Sequence, residues 1–382
     1  MRFSINSRCN DAQPGAVGRG GELGNLSTKR SKQRRWHIAV GEVVGIPRAL
    51  LYYHYYPMWK AFFESLGGTV VTSGETTRAV LDAGIKVTVD EACLPIKVFH
   101  GHVIALTGKC DYVFVPRLVS VERRAFICPK FMGLPDMIRC NCRDVPRIVD
   151  SCINLSRTTR EYVRAVLATG RMFTRSALRI LAAHNTARAA LTRYARCLEN
   201  GMTPDEAMAF MGIAPPCDEL AQKAVAAASS PSGVARGGRG TTSVVIGLVG
   251  HPYIIYDSFV SMNVIRRLRE MGATVVTADM LPPAVTEREA ARFPKRVFWT
   301  IGRRLLGAGF HFLRSGTVHG CLHMRAFACG PESLIGDILE REAARHRDVP
   351  FATITVDEHT GEAGVLTRLE AFVDVVMRRR KQ

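Results

Sequence analysis

The stretches VGIPRALLYYHYYPMW at residues 44–59 and VGHPYIIYDSFVSMNV at residues 249–264 decide the fold. The first is followed by ESLGGTVVTS and the second by REMGATVVTA, and one offset of 205 residues relates the two copies throughout. Chance rarely holds a single register over about thirty residues. We therefore infer two copies of one strand-helix-strand unit.

Each copy has the pattern of a helix that precedes a parallel strand. In the first copy, Trp59 and Phe63 share one apolar helix face, and Gly67 is placed to end that helix in the left-handed conformation. TVVTS then predicts a buried parallel strand, and the second copy repeats the pattern with Val264, Leu268, Met271 and Gly272. The sequence therefore predicts an α/β fold, with two Rossmann-like doubly wound parallel-sheet domains related by an internal repeat and a helical section between them.

Shifts in composition divide the chain into four parts. We predict a disordered basic leader at 1–35, a first α/β domain at 36–146, a helical section and linker at 147–242, and a second α/β domain at 243–382. In the section that looks all-helical from 147 to about 225, Thr203 and Glu206 fit the N-cap and N3 positions of a capped helix. The Ser/Gly/Arg-rich stretch SSPSGVARGGRGTTS marks the flexible linker.

Composition favours a soluble, cytoplasmic protein. Apolar residues make up 47% of the chain, yet no run approaches the roughly 18 consecutive apolar residues of a membrane span. The first residues also lack the apolar segment of a secretory signal. Because a reducing cytoplasm opens disulfides, the 11 cysteines point to metal ligation or to buried free thiols.

The net charge of +18 favours anionic partners. Much of the excess lies in the leader and in the final RRRKQ, and no basic stripe interleaved with aromatic residues is present. Nucleic acid is therefore not the expected partner. A phosphate-bearing small molecule such as a coenzyme A thioester fits the charge equally well.

Three cysteines stand beside prolines at expected helix starts: Cys93 in DEACLPIKVFHGH, Cys128 in FICPKF and Cys329 in FACGPES. Cys93 follows a β-like run, KVTV, and ligands of parallel α/β sheets collect at the carboxyl ends of strands. Helix N-termini are expected to lower the pKa of a thiol there and to stabilise an anionic metal cluster in the cleft between the domains. Three thiolates would leave the fourth iron of such a cluster open. The competing interpretation is that these cysteines are small apolar core residues.

The other cysteines carry weaker signals. Spacings in RCNCRD and HGCLHMR resemble ligand pairs, but such fragments have little specificity. We therefore treat Cys110, Cys140, Cys142 and Cys321 as secondary candidates. We interpret Cys9, Cys152, Cys197 and Cys217 as ordinary core or surface residues.

Six segments of the sequence, several of which contain the cysteines above, together resemble the acyl-CoA dehydratase activase-related family. That family is similar to the subunits of 2-hydroxyacyl-CoA dehydratases and benzoyl-CoA reductases. The resemblance runs from about residue 38 to 377 through GIPRALLYYHYYPMWKAFFESLG, DEACLPIKVFHGHV, FVPRLVSVERRAFICPKFMGLPDMIR, GHPYIIYD, FACGPESLI and VDEHTGEAGVLTRLEAF. It implies an iron–sulfur cluster, [4Fe-4S] or the double cubane of some relatives, that Cys93, Cys128 and Cys329 bind between the domains.

The resemblance also implies partners. In the dehydratases an ATP-hydrolysing activase delivers one electron to the cluster, and two related subunits act on the acyl-CoA. This chain shows no phosphate-binding G-x-x-x-x-G-K-[ST] loop, so we predict that it is not the ATPase itself. The expected partners are a separate ATP-dependent activase, a homologous subunit and an acyl-CoA-like small molecule.

Polar residues at the predicted site rim are candidates for substrate binding: Arg48, Lys97, Lys130, Glu358 and His359. For Lys97 and Lys130, helix-terminus electrostatics and solvated surface explain the residues equally well, and for Arg48 a surface salt bridge is favoured over a phosphate contact. Acid–base roles at Glu358 and His359 compete with capping of the following helix. We cannot map a coenzyme A pocket or a catalytic residue onto the chain. The leading hypothesis is an iron–sulfur protein of the 2-hydroxyacyl-CoA dehydratase type, a lyase or reductase in anaerobic metabolism. The alternative is a non-catalytic electron-transfer or maturation partner of the activase.

Overall fold

The computed structural model describes residues 41–156, 158–214 and 244–380. The predicted leader, the linker SSPSGVARGGRGTTS, Cys9 and Cys217 lie outside the described residues. Within these ranges the chain forms two four-stranded parallel sheets flanked by helices. The predicted α/β class with two Rossmann-like parallel sheets is confirmed.

The first sheet has the strand order β2-β1-β3-β5, and all its strands are parallel. Its strands are β1 (Val43–Ile46), β2 (Thr69–Thr72), β3 (Tyr112–Phe114) and β5 (Arg147–Val149). β2 comes from TVVTS and is parallel as predicted, but it lies at the sheet edge and is only partly buried. A separate two-stranded parallel sheet joins β4 (Arg117–Ser120) to β6 (Cys152–Asn154).

The strands β5 and β6 correct the expectation that the section after residue 146 is all-helical. β5 pairs with β3, so the first sheet continues into residues 147–149. Helices begin only at Thr159 and are α5 (Thr159–Gly170), α6 (Ala177–Glu199) and α7 (Pro204–Phe210). The predicted capping box at α7 is confirmed, since the Thr203 and Glu206 side chains each bond the other residue's backbone N–H.

The second sheet has the order β10-β9-β7-β8, again all parallel. Its strands are β7 (Val244–Val249), β8 (Ala273–Thr277), β9 (Gly320–Ala326) and β10 (Phe351–Val356). In both sheets the first strand lies between the second and the third, and the last strand packs outside the third. The sheet topology therefore repeats along the chain, as the sequence repeat indicates.

Four helices accompany the first sheet: α1 (Tyr52–Ser65), α2 (Arg78–Val87), α3 (Leu94–Ile104) and α4 (Pro129–Asn141). Gly67 has a φ of 94° after α1, as predicted. The β-like run KVTV is not a strand, because Lys86 and Val87 complete α2. A Cβ atom on Gly84 would lie 1.8 Å from the Lys97 carbonyl oxygen, so α2 and α3 touch through their backbones.

The second sheet carries six α-helices in the described residues: α8 (Pro252–Ile255), α9 (Val264–Glu270), α10 (Pro283–Ala290), α11 (Thr300–Arg314), α12 (Gly330–Arg345) and α13 (Glu362–Arg380). The repeat diverges here. The counterpart of α1 is split into α8 and α9, and Met262 and Asn263 adopt left-handed φ angles of 52° and 59° before α9. Val264 and Leu268 are fully buried, and Gly272 has the predicted positive φ.

The two sheets share one hydrophobic core. It extends from Val44 and Tyr53 on the first sheet's side to Tyr256 and Ile354 on the second. The rings of Tyr53 and Tyr256 lie 6.3 Å apart, and the Tyr194 hydroxyl on α6 donates to the Tyr53 carbonyl at 2.7 Å. No helix among the described residues is long and apolar enough to cross a bilayer.

Candidate metal centre

Cys93, Cys128 and Cys329 occupy equivalent positions, because each is the N-cap residue of a helix. Cys93 precedes α3, Cys128 precedes α4 and Cys329 precedes α12. Each helix has proline in its first turn, and none of the three thiols caps its own helix by a side-chain hydrogen bond. The prediction that these thiols lie at helix N-termini is confirmed.

The structure also brings the three thiols near one another. Burial raises the pKa of Cys128 and of Cys329; an electrostatic effect of Cys93 adds to both shifts, and one of Cys128 adds to that of Cys329. All three influence the buried Tyr253 of α8. Because electrostatic influence weakens with distance, the three thiols lie within interaction range of this ring and of one another. Two come from the first α/β domain and one from the second.

The expected lowering of the thiol pKa by the helix N-termini is not found for Cys128 and Cys329. Burial raises the pKa of both thiols, against the opposing effects of the Lys130 and Glu332 backbone hydrogen bonds. Loss of hydration thus outweighs the helix dipole in the metal-free protein. Both sulfurs are therefore neutral thiols that would release a proton on binding a metal.

A second group of ligand-type side chains adjoins Cys329. His251, Cys329 and Glu332 are buried, and their ligand atoms all lie within 4.8 Å of one another. Among the described residues this is the compact group of His, Cys and carboxylate side chains that can hold an ion. His251 Nδ1 is buried without a hydrogen-bond partner, and its 3.4 Å separation from Glu332 Oε1 lacks hydrogen-bond geometry.

Glu332 is a fully buried carboxyl group held by backbone donors. Its Oε1 accepts the His251 N–H at 3.0 Å, and its Oε2 accepts the Ala326 N–H at 3.4 Å. Burial raises its pKa to about 8 even though both hydrogen bonds favour the carboxylate. Burial also lowers the pKa of His251 to about 3, so its imidazole is neutral, as metal ligation requires.

The position of this group follows from the sheet topology. His251 follows β7, and Cys329 follows the neighbouring strand β9. The chain leaves β7 towards β8 on one side, whereas β9 lies on the other side, so the loops after β7 and β9 diverge. Such a divergence at the carboxyl ends of parallel strands is where ligands bind in open α/β sheets.

These observations test whether the chain can hold the iron–sulfur cluster that the sequence resemblance implies. Soft thiol donors occupy three helix N-termini within electrostatic range of one another, and a ring nitrogen without a hydrogen-bond partner among the described residues lies near one of them. Thiolate is the ligand that iron–sulfur clusters prefer, and helix N-termini favour anions. The residues present fit the group.

The candidate rim residues lie in different environments. Lys97 and Glu358 form an ion pair between α3 and the loop after β10, and Lys97 Nζ also donates to the Asp90 carbonyl at 2.9 Å. The Lys130 charge acts on the Cys128 thiol. His359, by contrast, is exposed.

Arg48 forms ion pairs with residues outside the group of three cysteines. Its guanidinium makes two 3.1 Å hydrogen bonds to Asp205 of α7 and a 3.4 Å contact with Glu75. These bonds join the first domain to the helical section. The structure therefore brings Lys97, Glu358 and Lys130 to the cysteines or to the cleft, while Arg48 forms an ion pair with α7.

The secondary cysteines lie at other places. Cys140 and Cys142 are at the far end of α4 from Cys128, and Cys321 begins β9, whereas Cys329 follows its end. Cys110 precedes β3, with its Sγ 3.6 Å from the Leu106 carbonyl. Sequence reasoning missed His251 and Glu332. The one signal was the change from Ile46 in the first repeat to His251 in the second.

A cavity of about 210 Å³ lies in the cleft between the two α/β domains. Leu94, adjacent to Cys93, contributes from the first domain, and Val260 and Glu358 contribute from the second. Pockets that enclose drug-sized ligands span roughly 300 to 1,000 Å³. This cavity admits a small ligand but does not enclose a whole coenzyme A.

Fold and site together define a duplicated α/β protein with a candidate metal centre between its halves. Residues 43–281 match the family described as the CoA enzyme activase uncharacterised domain (DUF2229). Since this match covers well over half of the chain, the protein belongs to that family.

The other comparisons add no functional argument. No curated protein matches the chain. A solution structure of the E. coli RcsC C-terminus, with a linker region and a phosphoreceiver domain, is 11% identical over 90% of this chain and 96% of that one. Its TM-score is 0.22, and a likeness this weak carries no inference about fold or function.

Proposed function

We propose that this protein is a cytoplasmic iron–sulfur protein that handles low-potential electrons in acyl-CoA chemistry, with a cluster bound by Cys93, Cys128 and Cys329. The observation that supports the proposal is that three thiols from both α/β domains are all N-cap residues and interact electrostatically with one another. Membership in a CoA enzyme activase family supports the acyl-CoA context. When bound, the cluster supplies one-electron transfer.

The chain's own residues prepare such a site. Helix N-termini direct unpaired N–H groups towards the thiols, which favours the net negative charge of a thiolate-bound cluster. The Lys130 charge next to Cys128 acts in the same sense. Tyr253 and the surrounding core exclude water from Cys93 and Cys329, which are 7% and 8% exposed.

Two forms of this function differ in the role of the substrate. In the first, the protein resembles the 2-hydroxyacyl-CoA dehydratase subunits and acts on an acyl-CoA-like substrate at the cluster. In the second, it passes electrons between an ATP-dependent activase and another enzyme, or assists maturation. The small cleft cavity favours the second form, because a cavity of about 210 Å³ does not enclose coenzyme A.

A partner protein is part of both forms. Phe126 and Phe327 are 41% and 64% exposed, and each stands two residues before a proposed cluster ligand. Exposed aromatic side chains are enriched at protein interfaces. We propose that these rings form part of the surface on which the activase partner docks.

Anaerobic reconstitution tests the cluster. We expect the wild-type protein to bind iron and acid-labile sulfide, and Cys93→Ser, Cys128→Ser and Cys329→Ser each to lose most of the iron, because an alkoxide replaces soft thiolate poorly. Cys197→Ser, a buried cysteine of α6, is the matched control and should retain it. A wild-type protein that binds no iron would refute the proposed function.

A panel of acyl-CoA thioesters separates the two forms. A change in the electron paramagnetic resonance spectrum on adding a thioester indicates the enzyme, because the substrate then reaches the cluster. An unchanged spectrum, with electron uptake from a reduced activase, indicates the carrier.

A further inference from the structure

The two loops that diverge at the switch point of the second sheet bring His251 and Cys329 together. His251 follows β7 and Cys329 follows β9, and the Sγ and Nδ1 atoms are within 4.8 Å of each other. The loop to Cys329 contains Ala328 in the left-handed conformation, with a φ of 60°. Strained backbone of this kind occurs where a functional side chain must be held in place.

The Nδ1 atom of His251 has no hydrogen-bond partner among the described residues. The residue is 4% exposed, and this nitrogen makes no hydrogen bond. Leaving a buried polar atom unpaired is costly, so a partner is expected there. The Tyr253 ring stands edge-on to the imidazole at 4.8 Å between centroids, which restricts the ring's orientation.

Glu332 is a poorer ligand than His251 at this place. Both of its carboxylate oxygens already accept a backbone hydrogen bond, Oε1 from the N–H of His251 itself and Oε2 from the N–H of Ala326. These bonds tie the start of α12 to the loop after β7. Glu332 is therefore a positioning residue that fixes His251 beside Cys329.

From these contacts we propose that His251 Nδ1 is the fourth protein ligand of the centre held by Cys93, Cys128 and Cys329. The inference rests on the proposed function, because it assumes the three-thiolate centre. A metal bound by thiolate and imidazole lies about 2.3 Å from sulfur and 2.1 Å from nitrogen, so two such donors on one metal atom lie at most about 4.4 Å apart. Cys329 Sγ and His251 Nδ1 lie within 4.8 Å of each other, so a small side-chain rotation would let both bind the centre.

A nitrogen ligand determines what the centre can do. With three thiolates and one imidazole, every position for a protein ligand is filled, and no iron is left open for a substrate carbonyl. The donor set is then that of an electron carrier. Replacing thiolate by imidazole also raises the reduction potential, as histidine ligation does in Rieske centres.

Pulsed electron paramagnetic resonance of the reduced full-length protein tests the ligand directly. We expect hyperfine coupling from a strongly bound nitrogen that changes to the nitrogen-15 pattern when only histidine is labelled. This measurement uses the wild-type chain, so it does not depend on whether a variant folds. His251→Cys should keep its iron, lose the coupling and show a lower reduction potential.

His323 supplies the matched control. It is also fully buried, and both its ring nitrogens are unpartnered, but it is not a member of the compact ligand group. The coupling should persist in His323→Ala. An iron-loaded wild type without histidine coupling, or a coupling lost only in His323→Ala, would overturn the His251 assignment and leave the proposed function intact. A wild type that binds no iron would overturn both.

Discussion

Lys97 and Glu358 form an ion pair that joins the two α/β domains beside the candidate centre. Lys97 lies on α3, one turn after Cys93, and its side chain is 3% exposed. Glu358 follows β10, and its side chain is 16% exposed. The pair therefore acts as an electrostatic contact across the cleft between two residues that the sequence indicates as candidates for substrate binding.

Removing one partner of this pair should destabilise the protein. We expect Lys97→Met to lower the free energy of unfolding by about 3 kcal/mol, because Glu358 would keep a largely buried charge without a partner. Urea denaturation of the metal-free protein measures the change. The control is Lys60→Met at the exposed Lys60–Glu64 pair of α1, where we expect less than about 1 kcal/mol. Equal losses in the two variants would contradict the assigned role.

The contact between α2 and α3 depends on glycine. A Cβ atom on Gly84 would lie 1.8 Å from the Lys97 carbonyl oxygen, and one on Gly101 would lie 1.9 Å from the Val80 carbonyl oxygen. Gly84→Ala should therefore cost about 3 kcal/mol or more, since both backbones must separate. In α4, Gly133 has open space around it, and Gly133→Ala should stabilise by up to about 1 kcal/mol. Thermal unfolding compares the two; a tolerated Gly84→Ala would disprove the close approach.

Stability should fall in acid partly through His102. This fully buried ring lies 2.7 Å from Ser73 Oγ and 2.8 Å from Thr76 Oγ1, and burial lowers its pKa to about 3. The unfolded chain, with a pKa near 6.5, binds the proton first, so the free energy of unfolding falls as the pH drops from about 6.5 towards 3. The slope from this residue is at most about 1.4 kcal/mol per pH unit.

His102→Gln isolates this contribution, because other buried histidines titrate in the same direction. The variant should be less stable at pH 7 yet show a shallower loss between pH 6.5 and 4. Denaturant unfolding across that range measures both slopes. Parallel curves for the variant and the wild type would show that His102 does not contribute.

Substitution of Cys140 and Cys142 tests whether the proposed centre is larger than one cluster. They lie at the opposite end of the 13-residue helix α4 from Cys128, about 18 Å away along its axis. We expect Cys140→Ser and Cys142→Ser to leave iron and sulfide content unchanged. Loss of half or more of the iron in either variant would favour a double-cubane assembly.

Local sequence signals predicted the parts of the fold that local physics controls. The repeated T-V-V-T segments became parallel strands, and Gly67 and Gly272 ended helices with positive φ, because these patterns act over a few residues. The Cys-Pro and Cys-Gly-Pro segments likewise marked helix starts. Proline is compatible with the first helical turn and with little else in a helix.

Tertiary contacts determined the features of the fold and of the candidate site that local sequence patterns did not predict. The β-branched run KVTV favoured a strand, but its first residues complete α2, which packs on α3 through Gly84. His251 and Glu332 are 81 positions apart in the chain and meet only because β7 and β9 are neighbours. The thiol pKa was misjudged for a similar reason, since a sequence does not show how deeply a helix N-terminus is buried.

The distribution of the thiols along the chain sets an order of events during synthesis. Cys93 and Cys128 leave the ribosome early, whereas Cys329 follows the entire helical section and most of the second sheet. A nascent chain therefore has two of the three thiols until translation is almost complete. Insertion of the proposed cluster would therefore require the finished polypeptide, and a product truncated before residue 329 would present only two of the three proposed ligands.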